Sequence, residues 1–281
     1  MPNYVQIIAC PDQPGIIKNI CDFIGKYDGN IIELEQHIDE EESMFFLRCL
    51  WQSPEQLDPN AIELELKHKL AMPSIYSSTH VVSQHMNMAV LVSKMDHCLF
   101  EILMRHQNNE WPVNIPIVIS NHPDLAEMCA KFNVPFRHIP INGDKQKQEQ
   151  EIMQLIAKYK IDCIVLARYM QILSEDFVNA YPNAIINIHH SFLPAFIGAK
   201  PYHQAHKKGV KIVGATSHYV TAELDQGPII SQDIAKIDHT HSIANVVHLG
   251  KDIERKVLSE AIKAHIEHKI IVINNKTVVF R

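Results

Sequence analysis

No apolar run in this 281-residue chain is long enough to span a bilayer, and Val5 to Cys10 near the start is short and ends at Pro11. Neither a membrane anchor nor a secretory signal is therefore read. Dense lysine and arginine clusters are missing too, and with a formal net charge of -6 the chain lacks the footprint of a nucleic-acid binder. None of the six cysteines (Cys10, Cys21, Cys49, Cys98, Cys129 and Cys163) belongs to a CxxC pair. They fall mostly within apolar helix or strand patterns and read as reduced core residues of a cytoplasmic protein. A metal site lacks support as well. His203 and His206 stand three apart on a helical stretch and Asp238-His239-Thr240-His241 superficially resembles a ligand run, but neither has a third well-spaced ligand or an HExxH motif. Thr240 or Ser242 serves instead as the cap of the helix that follows.

What is present begins with a 46% hydrophobic content, enough to bury one or two ordinary cores. Tyr4 to Ala9 reads as a strand and Cys10 to Gly15 as a turn, after which Ile16, Ile20 and Ile24 recur at helical spacing until Asp28-Gly29-Asn30. Ile31 to Ile38 and Met44 to Trp51 form a hairpin about the acidic turn Asp39 to Ser43. A helix from Asn60 to Leu70 and a strand from Tyr76 to Val82 complete a βαββαβ order over residues 1–83.

Beyond a linker at Val81 to Met86, which no Pro/Gly-rich break marks, strands and helices alternate over residues 84–281. Strands are expected at Met88–Val92, Ile115–Ile119, Pro135–His138, Cys163–Leu166 and Ala184–His189, and helices at Cys98–Arg105, Asp124–Phe132, Lys145–Tyr159 and Ser174–Ala180. The strands are nearly continuous apolar runs, the pattern of a doubly wound, mostly parallel sheet covered on both faces. A long helix over Ser242–His268, with Glu254-Arg255-Lys256 on its polar side, and a last strand at Thr277–Phe280 are expected to close this domain. The fold class is thus α/β with two domains.

Chemistry is suggested where the strand Ala184–His189 carries polar residues that a buried strand should not have. Alternate side chains share a face, so Asn187 and His189 point the same way. Ligands of such sheets sit beyond the carboxyl ends of the strands, where His189 lies and the loop Ala167–Leu173 begins. With the carboxylate of Asp225, an amide and an imidazole supply a donor, a proton carrier and an orienting base, suited to attack on a small carbonyl through an oxyanion. Taken singly, each has a bland reading: a structural histidine among 18, a loop asparagine, a turn aspartate before Gln226-Gly227.

The run Asn187-Ile188-His189-His190-Ser191-Phe192-Leu193-Pro194, with Gly214 to Val220 and Asp225 to Ile230, resembles the core of the folate-dependent formyltransferases, roughly over residues 87–237. The resemblance implies that Asn187, His189 and Asp225 surround the formyl carbon of 10-formyltetrahydrofolate. It also implies that Tyr169, Met170, Gln171, Ile172 and Leu173, with Val220 and Thr221 opposite, hold the pterin by backbone pairing and apolar walls. By side-chain type alone, Met170, Ile172 and Leu173 read better as core packing. His190, proline in the ribonucleotide-using members, reads equally as a partner of the loop Ser191–Pro194 or as the shaper of a water site.

The N-terminal unit resembles an ACT domain, a ferredoxin-like module that binds amino acids between paired copies. Asp12, Gln13 and Gly15 fall at its effector-binding first loop, with glycine or methionine as the implied effectors and a homo-oligomer implied by the pairing of sheet edges. An ACT module ahead of a formyltransferase-like domain resembles the deformylase branch of the family. Its members hydrolyse 10-formyltetrahydrofolate to formate and tetrahydrofolate in the one-carbon metabolism that serves purine biosynthesis, with the folate as substrate and no cofactor. In agreement, Ser93 to Cys98 stands where a transferase carries a glycine-rich phosphate cradle, yet it has no glycine and contains Asp96. The same stretch also reads as a plain strand-to-helix turn capped by Asp96. Two alternatives remain: formyl transfer to an unidentified amine, and an ACT-gated folate sensor without catalysis.

Overall fold

The structure is a computed structural model that describes residues 1–70, 76–141, 143–194 and 201–281. The chain divides into two units, one of residues 1–85, 267–273 and 277–281, the other of residues 86–266 and 274–276.

The first unit runs β1 (Asn3–Pro11), α1 (Ile16–Lys26), β2 (Asn30–Asp39), β3 (Met44–Gln52), α2 (Pro59–Leu70) and β4 (Tyr76–Val81). Its sheet has the order β2-β3-β1-β4, with every neighbour antiparallel. Ile16, Ile20, Phe23 and Ile24 of α1 recur on one stripe because three- and four-residue steps return to the same side of a helix, and they pack with Ile62 and Leu66 of α2 on Tyr4, Ile8, Leu47 and Trp51. Cys21, expected in the core, lies on the other side of α1 and is exposed; the other five cysteines are buried.

The second unit contains β5 (Met86–Val92), α3 (His97–Gln107), β6 (Val113–Ser120), α4 (Ala126–Lys131), β7 (Phe136–His138), α5 (Lys145–Lys158), β8 (Cys163–Ala167), α6 (Glu175–Asn179), β9 (Ile185–His189), α7 (Pro201–Lys208), β10 (Ile212–Tyr219), β11 (Ile229–Lys236) and α8 (Ile243–Ile266). The strand order is β11-β10-β9-β8-β5-β6-β7. Strands β5 to β9 pair in parallel, and β10 and β11 extend the sheet antiparallel. From β5 the chain winds outward through β6 and β7, then returns to the other side of β5 at β8, so the loops after β5 and β8 part and leave a crevice at their carboxyl ends. Among the described residues no helix is long and apolar enough to cross a membrane.

Strands β12 (Ile270–Ile273) and β13 (Lys276–Val279) form a terminal hairpin. The segment expected to close the second domain instead belongs with the first unit. Ile271 and Phe280 are buried against Val5, Ile7, Ala9 and Phe46, on the sheet face that the two helices leave bare. Helix α8 correspondingly ends at Ile266. Its start is capped as expected, the Asn245 N–H donating to Ser242 Oγ at 3.2 Å.

Candidate active site

The carboxyl ends of β5, β8 and β9 open into a cavity of about 730 Å³, whose lining includes Asn187, His189, Asp225, Tyr169, Met170, Gln171, Ile172, Leu173, Val220 and Thr221. Ten residues singled out from the sequence thus meet in one place. Core packing accounts for Leu173, which joins the cluster around Tyr169 and Val178. It does not account for Met170 and Ile172, which are 57% and 61% exposed.

Asn187 and His189 project from the same face of β9, as alternation requires. His189 Nδ1 lies 3.2 Å from Asp225 Oδ2. That hydrogen bond is the main reason the Asp225 carboxyl sits below the usual aspartate range in spite of its burial. Asp225 itself has a left-handed backbone, φ 56°. Its loop returns so tightly that a Cβ on Gly227 would lie 1.8 Å from the Tyr219 carbonyl oxygen, so only glycine fits there. The other ring nitrogen, His189 Nε2, is buried and has no hydrogen-bond partner among the described residues.

A fourth member, His218, was not identified by sequence reasoning. It pairs directly with Asn187 across β10 and β9. Its Nδ1 is 2.8 Å from the Tyr219 carbonyl, which can only accept, so Nδ1 carries the proton and Nε2 the lone pair. The Asn187 amide donates to that lone pair at 3.2 Å, which fixes the amide the right way round and leaves its second hydrogen for a ligand oxygen. Burial holds the His218 pKa below its ordinary value against the pull of Asp225, whose Oδ1 is 3.8 Å from Nε2. The signal lay in the run Thr216-Ser217-His218, polar residues in what proved to be a buried strand.

His190 also lines the cavity, its ring edge-on to His189 at 5.2 Å and to Tyr202 at 6.2 Å between centroids. The loop that follows is held by Thr216, whose hydroxyl donates to the Ser191 carbonyl at 2.9 Å and accepts the Leu193 N–H at 3.0 Å. Burial, then the neighbouring Arg168 and His189, push the His190 pKa down to about 4, so the imidazole is neutral.

Behind His190 lies a buried carboxylate. Glu254, expected on the polar side of α8, is 1% exposed, because it falls on the stripe of Gly250, Ile253, Val257, Leu258 and Ala261 that faces the sheet. Its oxygens take His97 Nε2 at 2.8 Å and the Tyr202 hydroxyl at 2.8 Å, with Arg168 Nε at 3.5 Å. Burial raises its pKa, but His97, Arg168 and Tyr202 together outweigh that and keep it below the usual carboxylate value. Three partners from distant segments were needed to see this, and the sequence of α8 alone shows a polar triplet. His97, Cys98 and Glu254 also approach one another as a metal site would. Their chemistry argues against a cation: the Glu254 oxygens are taken, a guanidinium stands beside them, and burial holds the Cys98 thiol protonated.

Asp96 occupies the cap position of α3, but its side chain makes no capping hydrogen bond. Ser93 has a structural task, donating to Asn121 Oδ1 at 2.7 Å and accepting the Met170 N–H at 3.0 Å. His206 bonds the His241 carbonyl at 3.2 Å, and Asp238 accepts the Thr240 N–H at 2.8 Å as in an ordinary turn. Asp12, Gln13 and Gly15 are exposed between β1 and α1, where Gly15 adopts φ 92°.

Comparison with known proteins agrees in sequence and in shape. The formyl transferase family model matches residues 86–262. Formyltetrahydrofolate deformylases of Synechocystis sp. and Bacillus subtilis are each 44% identical over 98% of this chain, covering 97% and 92% of their own lengths. The crystal structure of a formyltetrahydrofolate deformylase from Pseudomonas syringae pv. tomato superimposes with a TM-score of 0.95 at 40% identity, covering 100% of this chain and 95% of that one. Glycinamide ribonucleotide transformylase 1 from Symbiobacterium toebii matches 70% of this chain and 95% of its own, with a TM-score of 0.67 at 27% identity.

Proposed function

Because the chain belongs to the formyl transferase family and, within it, to the formyltetrahydrofolate deformylases, we infer that its cavity binds 10-formyltetrahydrofolate and hydrolyses it to formate and tetrahydrofolate. The observation that carries the chemistry is the joined geometry of Asn187, His189 and Asp225, with His189 Nε2 buried at the cavity wall and unpartnered among the described residues. A group in that state is held ready for a ligand atom, since leaving it unpaired costs about 1–3 kcal/mol.

Water attacks the formyl carbon and a C–O bond forms. The carbonyl oxygen becomes an oxyanion that takes hydrogen bonds from the Asn187 amide and from His189. Asp225 fixes the His189 ring through Nδ1 and directs the water proton. The C–N10 bond then breaks, N10 takes up a proton, and formate leaves. Folate is the substrate and no cofactor enters. Backbone groups of Tyr169 to Leu173 pair with the pterin, and the exposed Met170 and Ile172 form its apolar wall with Val220 and Thr221.

The first unit is an ACT domain in this reading, supported by its element order and the sheet order β2-β3-β1-β4. Asp12, Gln13 and Gly15 form the loop that binds a small amino acid, glycine or methionine. Edge strand β2 exposes Ile32 and Ile38, 46% and 41% accessible, and pairing of such edges between copies supports a homo-oligomer.

The test is purified protein with 10-formyltetrahydrofolate in amine-free buffer. Formate and tetrahydrofolate in equal amounts are expected. Turnover that begins only when an amine is added would make the protein a transferase, and tight folate binding with no product would make it a sensor.

A further inference from the structure

The cavity has a second side, away from the residues assigned above to the pterin. Beyond His190 it is lined by Met95, His97, Tyr202, Val247, Lys251 and Glu254, and an acceptor other than water would have to stand there. This side is fixed. Tyr202 lies so close to α8 that a Cβ on Gly250 would fall 2.2 Å from its Cζ. One turn further along α8, Glu254 receives the Tyr202 hydroxyl, and on its other oxygen the His97 imidazole, each at 2.8 Å. A single buried carboxylate thus joins α3, α7, α8 and the loop after β8.

We propose that the Tyr202–Glu254–His97 cluster is the determinant of acceptor choice: it walls off the acceptor side of the cavity, so that only water reaches the formyl carbon. This rests on the hydrolytic reading above and deepens it. An amine acceptor needs room for its carbon skeleton and a group to receive its N–H. Here the Tyr202 ring stands against that space, and both oxygens of Glu254, the carboxylate on this side, are already bonded inside the protein. Opening the wall should therefore admit an amine. Its nitrogen would bond the formyl carbon in place of water, the C–N10 bond would break as before, and the amine proton would pass to N10, giving a formamide and tetrahydrofolate with no other reactant.

The experiment uses Tyr202→Ala and the unaltered protein, each with 10-formyltetrahydrofolate and rising concentrations of methoxyamine, a small amine unprotonated at neutral pH. Formate and N-formylmethoxyamine are quantified by mass spectrometry and corrected for the reaction without enzyme. The product ratio is read rather than the rate, because general damage to the fold slows both products alike. The unaltered protein should give formate alone at every amine concentration. Tyr202→Ala should give formylated amine in proportion to amine concentration, with a ratio at least tenfold higher. Tyr202→Leu, which keeps more apolar volume, replaces it if Tyr202→Ala does not melt cooperatively. Formylated amine from the unaltered protein in proportion to amine, or only formate from a folded variant, would overturn the wall. Absence of formate from the unaltered protein in amine-free buffer would instead overturn the hydrolytic reading, so the two failures are distinguishable.

Discussion

Asp225 touches two imidazoles, His189 at 3.2 Å and His218 at 3.8 Å, and removing its charge while keeping its shape isolates what that charge does. Asp225→Asn should lower turnover by roughly two to four orders of magnitude, the range for loss of a general base or its electrostatic partner. The dissociation constant for the folate, measured by calorimetry, should change much less, because the contacts of Tyr169 to Leu173 remain. Near-normal turnover would make Asp225 a turn residue. His190 gives a second outcome at this scale, set by Arg168, His189, Asp225, Glu254 and the Tyr202 ring around it. Its folded pKa of about 4 lies below the ~6.5 of an unfolded histidine. Between those values the unfolded chain binds the extra proton, so stability falls as pH falls through this window and is unaffected by His190 above it. Thermal unfolding should show the gap between the unaltered protein and His190→Asn narrowing from pH 6.5 to 4; a gap independent of pH would mean that His190 is not held neutral.

Helix α8 shows how an element can obey its own rules and still depend on a neighbour. In an isolated helix Gly→Ala stabilises by about 1 kcal/mol. At Gly250 the sign should reverse, because the new Cβ would fall 2.2 Å from the Tyr202 ring, and overpacking of this kind costs about 1–3 kcal/mol. A lower melting temperature for Gly250→Ala is the expected result, and an unchanged or higher one would show that α7 gives way freely. The elements that were legible in the sequence are those whose patterns are local. The apolar runs of β5, β8 and β9, the stripe of α1 and the paired Asn187 and His189 all follow from periodicity. Strands β10 and β11 were not read as strands, because Thr216, Ser217 and His218 are buried polar residues whose partners, such as the Ser191 carbonyl and Asn187, lie on other segments. Glu254 was misplaced for the same reason: it and the partners that make its burial tolerable, His97, Arg168 and Tyr202, are spread over more than half the chain.

For the molecule as a whole, the first unit is where control by a small amino acid is expected. Residues 1–83 cannot simply be cut away, since Ile271 and Phe280 are buried on Val5, Ile7, Ala9 and Phe46. Gly15→Val is the cleaner probe, because φ 92° before α1 suits glycine and strains a β-branched residue. It should abolish the response to glycine or methionine while leaving turnover without effector unchanged, as read from initial rates of formate release. If the intact protein is indifferent to every proteinogenic amino acid, the ACT reading loses its regulatory content. The central claim, that water is the acceptor of the formyl group, is tested most directly by turnover in oxygen-18 water without any amine. Formate carrying one solvent oxygen, released in equal amount to tetrahydrofolate, is the result this account requires. Failure to find labelled formate, with the formyl group still on the folate until an amine is supplied, would contradict it.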